Sequence, residues 1–211
     1  MKFIQFKDNL KDFVIFSVND IKMLESNFHR RRLKDWQEKG YIKKVIKGWY
    51  IFSDMEIDES SLFEIANRIY KPSYVSLEMA LSYHGLIPES TYSVTSISTR
   101  RTYAFSTPIG QFAYRTLKRE LFFGYEIISF NNRSFKVAYL EKAVLDYLYL
   151  NTNFSSPEDF KSLRLNTDTL LSKVSWKRWE TFLKKYSNKR FLRRINRFME
   201  AVVPERVRNY A

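Results

Sequence analysis

Residues 28–52, FHRRRLKDWQEKGYIKKVIKGWYIF, decide how the chain is read. The first half has helical spacing: Leu33 and Trp36 fall on one face, with His29 one turn earlier. Asn27 stands before it as a suitable N-cap, because its side chain can accept a hydrogen bond from an unpaired first-turn amide. Gly40 sits where a left-handed residue usually ends a helix. Tyr41, Ile42 and Val45 then read as a strand, Lys47 and Gly48 as a turn, and residues 49–52 as the return strand. Arg31 and Lys34 point away from the apolar face, Arg30 and Arg32 flank it, and Lys43, Lys44 and Lys47 decorate the ribbon. Residues 28–50 hold eight Lys/Arg against Asp35 and Glu38, a local balance of +6. A helix with a basic outer face followed by a basic ribbon is the layout of a winged helix. There the helix enters the DNA major groove and the ribbon reaches a neighbouring groove or the backbone.

Upstream, Phe3, Phe6, Leu10 and Phe13 recur at steps of three and four, which predicts a helix over residues 2–12. The apolar run Val14-Ile15-Phe16 is placed to pair with the ribbon, and Ser17 or Asn19 to cap a helix that turns Ile21 and Leu24 inward. Helix, short strand, helix, helix and ribbon complete a winged helix-turn-helix unit over residues 1–58. The polar, acidic stretch 53–60 is read as its boundary.

The whole chain has 211 residues, 45% hydrophobic and 17% aromatic, enough for a substantial core. Its net charge of +13 points to a polyanionic partner. No cysteine is present, which excludes disulfides and thiolate metal sites. Charges interrupt the N-terminal apolar residues, so no signal peptide is read there, and no run is apolar enough to span a bilayer. The expected location is the cytoplasm.

Downstream, residues 62–69 read as a helix ended by Pro72, and Ser76 opens a short helix stopped by Gly85. Strands are predicted over residues 92–99, 104–107, 112–117, 125–130 and 134–137, with turns at Pro108-Ile109-Gly110 and Asn131-Asn132. Residues 139–150 form a further helix. A loop and a helical tail with aromatic stripes at Trp176/Trp179 and Phe191/Phe198 follow. The expected class is α+β: the winged helix-turn-helix over 1–58, then a mixed α+β unit over 59–211. That unit is read as an antiparallel-rich sheet with helices over 59–150 and a helical tail over 151–211. Residues 176–208 hold eleven Lys/Arg against three Glu, so the surplus charge lies at the two ends.

The blocks KGYIKKVIKGWYIF, YKPSYVSLEMALSYHGLIPE, VTSISTRRTYAFSTPIGQFAYRTLK and LEKAVLDYLY, in this order, resemble the AbiEi-type antitoxins. These are antitoxins and transcriptional regulators of bacterial abortive-infection systems, of the type IV toxin–antitoxin kind. The resemblance covers residues 17–150, is strongest over 74–114, and finds no matching motif after Asn151. It implies a winged helix that binds inverted repeats in its own promoter and represses the operon. It also implies opposition to a nucleotidyltransferase-like toxin without a stable complex, and a second unit serving as the antitoxin module in phage defence.

Phosphate and base contacts are assigned to the first unit. Arg31 and Lys34 face outward to read bases, with Arg30 on the flank as a further candidate, since an arginine fork grips guanine with two hydrogen bonds. Arg32, Lys43, Lys44 and Lys47 complete the basic surface, with the three ribbon lysines suited to the backbone. Ser98, Thr99, Arg100 and Arg101, with Ser96 beside them, form a second candidate nucleic-acid surface, and Arg190, Arg193, Arg194 and Arg197 another. A polar strand edge and a solvated helix face are the plain alternatives. His29 and His84 read as helix-packing residues, and no metal or cofactor is assigned. Two other classes stay open. One is a nuclease-like enzyme with its active site in the second unit, where Glu141, Lys142 and Asp146 share a helix. The other is a basic scaffold at an anionic membrane surface.

Overall fold

The computed structural model describes residues 2–88, 93–130 and 133–204. Helix α1 (Phe3–Leu10) buries Phe6 and Leu10, and ends two residues earlier than its periodicity suggests. Strand β1 (Phe16–Ser17) leads straight into α2 (Val18–Leu24). Ser17 caps α2 reciprocally: the Asp20 amide donates to Ser17 Oγ at 3.2 Å, and the Ser17 amide to Asp20 Oδ2 at 2.6 Å.

Helix α3 spans Arg31–Glu38. Its start corrects the sequence reading. Asn27 is not its cap; Arg30 holds that position without a side-chain cap, and His29 lies exposed before the helix. Phe28 explains the difference. Its ring is buried against Trp36, and its amide closes a turn onto the Glu25 carbonyl, so the chain enters the helix only after that anchor. The other end follows expectation. Gly40 has φ +71°, its amide meets the Gln37 carbonyl, and Tyr41 N–H donates to the Trp36 carbonyl.

Strands β2 (Ile42–Ile46) and β3 (Trp49–Phe52) form the ribbon, and β1 pairs with β3, giving an antiparallel sheet in the order β1-β3-β2. Alternation along β3 serves two cores. Tyr50 and Phe52 join Phe6, Phe16, Phe28 and Trp36 in a small aromatic core under α3. Ile51, with Val14, Ile15 and Val45, belongs to the large core of the rest of the chain. Arg68 adds a polar tie, pairing with Asp20 and Glu64 and lying over the Phe13 and Trp49 rings. The first 58 residues therefore pack directly on the remainder of the chain.

Asp58 caps α4 (Glu59–Ile69) by accepting from the Ser61 amide at 2.8 Å. Next come β4 (Ser73–Val75), α5 (Leu77–Tyr83), β5 (Ser93–Ser98), β6 (Tyr103–Thr107), β7 (Gly110–Thr116), a short 3₁₀ turn, β8 (Tyr125–Phe130) and β9 (Arg133–Ala138). Tyr92 and the Asn131-Asn132 turn lie outside the described residues. The strands form one six-stranded sheet in the order β6-β7-β5-β4-β9-β8. It is mixed: β5 with β7 and β4 with β9 run parallel, and the other pairings are antiparallel. The sequence reading missed β4, which is only three residues long yet joins the two halves of the sheet.

Helix α6 (Leu140–Leu150) packs against α5 and the sheet, and α7 (Pro157–Ser162), α8 (Thr167–Lys173), α9 (Trp176–Leu183) and α10 (Lys189–Val202) complete the molecule. Glu141, Lys142 and Asp146 on α6 are fully buried. Lys142 pairs with Asp146, and Asp146 also accepts from Tyr74 Oη at 2.8 Å and Ser76 Oγ at 2.9 Å. Glu141 accepts from the Ser175 amide at 2.6 Å and from Arg178 at 3.2 Å. These carboxylates bind β4 and α9 to α6.

Candidate nucleic-acid interface

On α3, Leu33 and Trp36 anchor the inner face, which leaves Arg31 and Lys34 exposed on the outer one. Lys34 lies 3.7 Å from Glu38, with side chains 78% and 63% exposed. Such a solvated pair is worth about 0–1 kcal/mol, so Lys34 can exchange it for another anion. Arg30 is exposed at the start of the helix.

Arg32 is placed differently. It pairs with Glu25 at 3.2 Å, both side chains 29% exposed, and its guanidinium lies 5.3 Å from the Phe28 ring centre and 5.0 Å from that of Trp36. This ties α3 to the end of α2 and turns Arg32 away from the outer face.

The ribbon lysines divide by register, because side chains of directly paired residues share a sheet face. Lys44 pairs with Tyr50 and stands on the α3 side; Lys43 pairs with Ile51 and stands on the other. Arg30, Lys44 and Lys47 line one cleft of about 530 Å³ with Ser17, Asn19 and Tyr50. The sequence reading missed Asn19 and Tyr50 as cleft residues and placed Ser17 only as a cap. Their position depends on β1 lying beside β3, which is a long-range pairing.

The second candidate surface separates into two places. Ser98 is fully buried and donates to the Pro72 carbonyl at 2.7 Å, and Ser96 is also fully buried, so neither hydroxyl lies on a surface. The reason is topological: β5 lies between β4 and β7, with both faces covered. Thr99 is half-buried. Arg100 lies 4.3 Å over the Tyr70 ring, and Tyr70 Oη donates to the Arg101 carbonyl, so this corner braces α4 while Arg101 stays exposed.

Arg190, Arg193, Arg194 and Arg197 do come together. With Thr152 and Ser155 they line a cleft of about 600 Å³. Arg194 is half-buried and donates to the Leu148 carbonyl; Arg115 meets the Leu150 carbonyl at 3.4 Å. Both cations sit where the last carbonyls of α6 present partial negative charge.

The two histidines also differ. His84 is half-buried and hydrogen-bonded at 2.8 Å to the Ala138 carbonyl, and burial lowers its pKa from the ordinary value. His29 is exposed outside any helix, which corrects its reading as a packing residue. Among the described residues, no three His, Asp or Glu side chains gather as a metal site, and no helix is long and apolar enough to cross a membrane.

Comparison of the chain with models of known protein families gives no match, and comparison with curated proteins gives none either.

Proposed function

We propose that this chain is a winged-helix DNA-binding antitoxin that represses its own toxin–antitoxin operon and acts without catalysis. The observation that carries the reading is the basic surface shared by α3 and the ribbon. Arg30, Lys44 and Lys47 line one cleft, with the exposed Arg31 and Lys34 on the same helix. In this reading α2 and α3 form the helix-turn-helix and the β2–β3 ribbon is the wing. Arg31 and Lys34, with Arg30, read base edges in the major groove. Lys44 and Lys47, with Lys43 on the far side of the ribbon, hold the phosphate backbone. Arg32 fixes the angle of α3 through Glu25 and makes no base contact.

The toxin side of the proposal rests on the resemblance of residues 17–150 to AbiEi-type antitoxins. The opponent is a nucleotidyltransferase-like toxin, countered without a stable complex, and the unit over 59–211 is the antitoxin module. The nuclease-like alternative has less support. Its best candidates, Glu141, Lys142 and Asp146, are sealed in the core and occupied with one another, with Tyr74 and Ser76, and with Arg178.

Two substitutions test the assignment. Arg31→Ala should weaken binding to the operator by roughly 1–3 kcal/mol and leave random DNA nearly unchanged, whereas Lys44→Ala should weaken all sequences alike. Equal losses on both kinds of duplex for both variants would remove the base-reading role of α3.

A further inference from the structure

We propose that the cleft between α10 and the loop after α6 binds a short chain of linked phosphates, of the kind carried by a nucleoside triphosphate. This site is separate from the α3 surface, and the proposal does not depend on the reading of α3.

Four arginines line the cleft, with Arg193 Nε donating to the Lys189 carbonyl at 3.4 Å and Arg194 to that of Leu148. Arg190, Arg193, Arg194 and Arg197 occupy successive turns of one helix face, spanning about 10 Å of its axis. The opposite wall supplies Thr152 and Ser155. Among the described residues, none of the four arginines pairs with a carboxylate. Asp159, in the first turn of α7, is turned to the Ser155 and Ser156 amides, which hold its carboxyl below the usual range. Like charges gathered in a concavity repel one another and focus a strong positive potential, which an anion relieves.

The form of the site selects the anion. Arginine forks and hydroxyls together match phosphate oxygens. A volume of about 600 Å³ falls within the roughly 300–1,000 Å³ of small-ligand sites, and a concave cleft does not follow a duplex backbone. The α10 amides do not supply the binding, because Asn188 Oδ1 already accepts from the Arg190 and Phe191 amides. The walls are pre-set: the Leu148 carbonyl holds Arg194, and Phe154 packs on Tyr147.

The test is calorimetric titration of the full chain with tripolyphosphate at about 0.15 M salt, where the Debye length is about 8 Å. The expected result is one saturable site with micromolar affinity. The double substitution Arg193→Gln and Arg197→Gln should weaken it by at least roughly tenfold, since each lost charge-assisted hydrogen bond is worth about a factor of ten or more. Both residues are exposed, so circular dichroism and the thermal unfolding midpoint should stay unchanged; Arg194 is left in place because it also caps α6. A nucleoside triphosphate and a 5′-triphosphorylated strand should each displace tripolyphosphate, and their relative affinity identifies the source of the phosphates. Absence of saturable binding below millimolar concentration would overturn the proposal. So would binding unaffected by the double substitution, or equal displacement by an unphosphorylated single strand, which would make this a backbone site.

Discussion

Arg30, Arg31 and Arg32 are consecutive, identical in chemistry, and placed in three environments: a cleft, the open face of α3, and a pocket against Glu25, Phe28 and Trp36. A step of one residue turns a helical side chain by about 100°, so neighbours in sequence are not neighbours in space. The spacing from Leu33 and Trp36 was enough to place Arg31 outside. It did not separate Arg32, because the groups that hold Arg32 come from the end of α2 and the turn before α3. His84 carries a prediction at this scale. Burial lowers its pKa below the ordinary 6.5 and outweighs the Ala138 carbonyl, which accepts from Nε2–H and acts in the opposite direction, so folding disfavours the charged ring. As pH falls through about 6.5 the unfolded chain takes up a proton before the folded one, and stability is lost on that acid side. Urea unfolding followed from pH 8 to pH 5 should show this decline, and His84→Gln should flatten it. An unchanged slope in the variant would place the titration elsewhere.

At the scale of elements, amphipathic pattern and stop signals located most of the helices. The Ser17 cap, the Gly40 stop and the β2–β3 ribbon all follow from local residue chemistry. What escaped were elements whose identity comes from their neighbours. Strand β4 has no alternation to show, and exists because β5 and β9 pair with it. Strand β5 looked like a polar surface strand, since Ser96 and Ser98 are interior residues on a strand covered on both faces. Gly124 also depends on its surroundings. It has φ +73°, and an added Cβ would stand 3.0 Å from Lys142 Cγ and 3.1 Å from Phe182 Cε2. Gly124→Ala should therefore lose about 1–2 kcal/mol for the left-handed backbone and about 1–3 kcal/mol more for overpacking. Gly40→Ala, where an added Cβ meets open space, should lose only the first part. Equal losses by chemical denaturation would contradict the packing at Gly124.

For the whole molecule, the fold class was legible from the order of patterns, but the mixed sheet was not. Parallel pairing of β4 with β9 depends on residues more than sixty apart in sequence. Lys142 and Asp146 give this arrangement its polar centre, joining α6 to β4 through Tyr74 and Ser76 and approaching Tyr186 beyond α9. Lys142→Met would leave Asp146 buried without its cation and should cost about 3–5 kcal/mol in unfolding free energy, whereas a loss below about 1 kcal/mol would mean that the pair is solvated. The two arginine- and lysine-rich ends are likewise clear in the sequence, while the division between a basic helix-and-ribbon surface and a separate arginine cleft emerges only from packing. Recognition of DNA sequence by the first of these surfaces is the proposal on which the rest of the function depends. It can be tested by titrating the purified chain against the duplex upstream of its own gene and a shuffled duplex, at several salt concentrations, because phosphate contacts make affinity salt-dependent. Binding should be tighter to the upstream duplex throughout the series, with affinity for both falling steeply as salt rises. Equal affinity for the two duplexes at every salt concentration would contradict sequence recognition by α3.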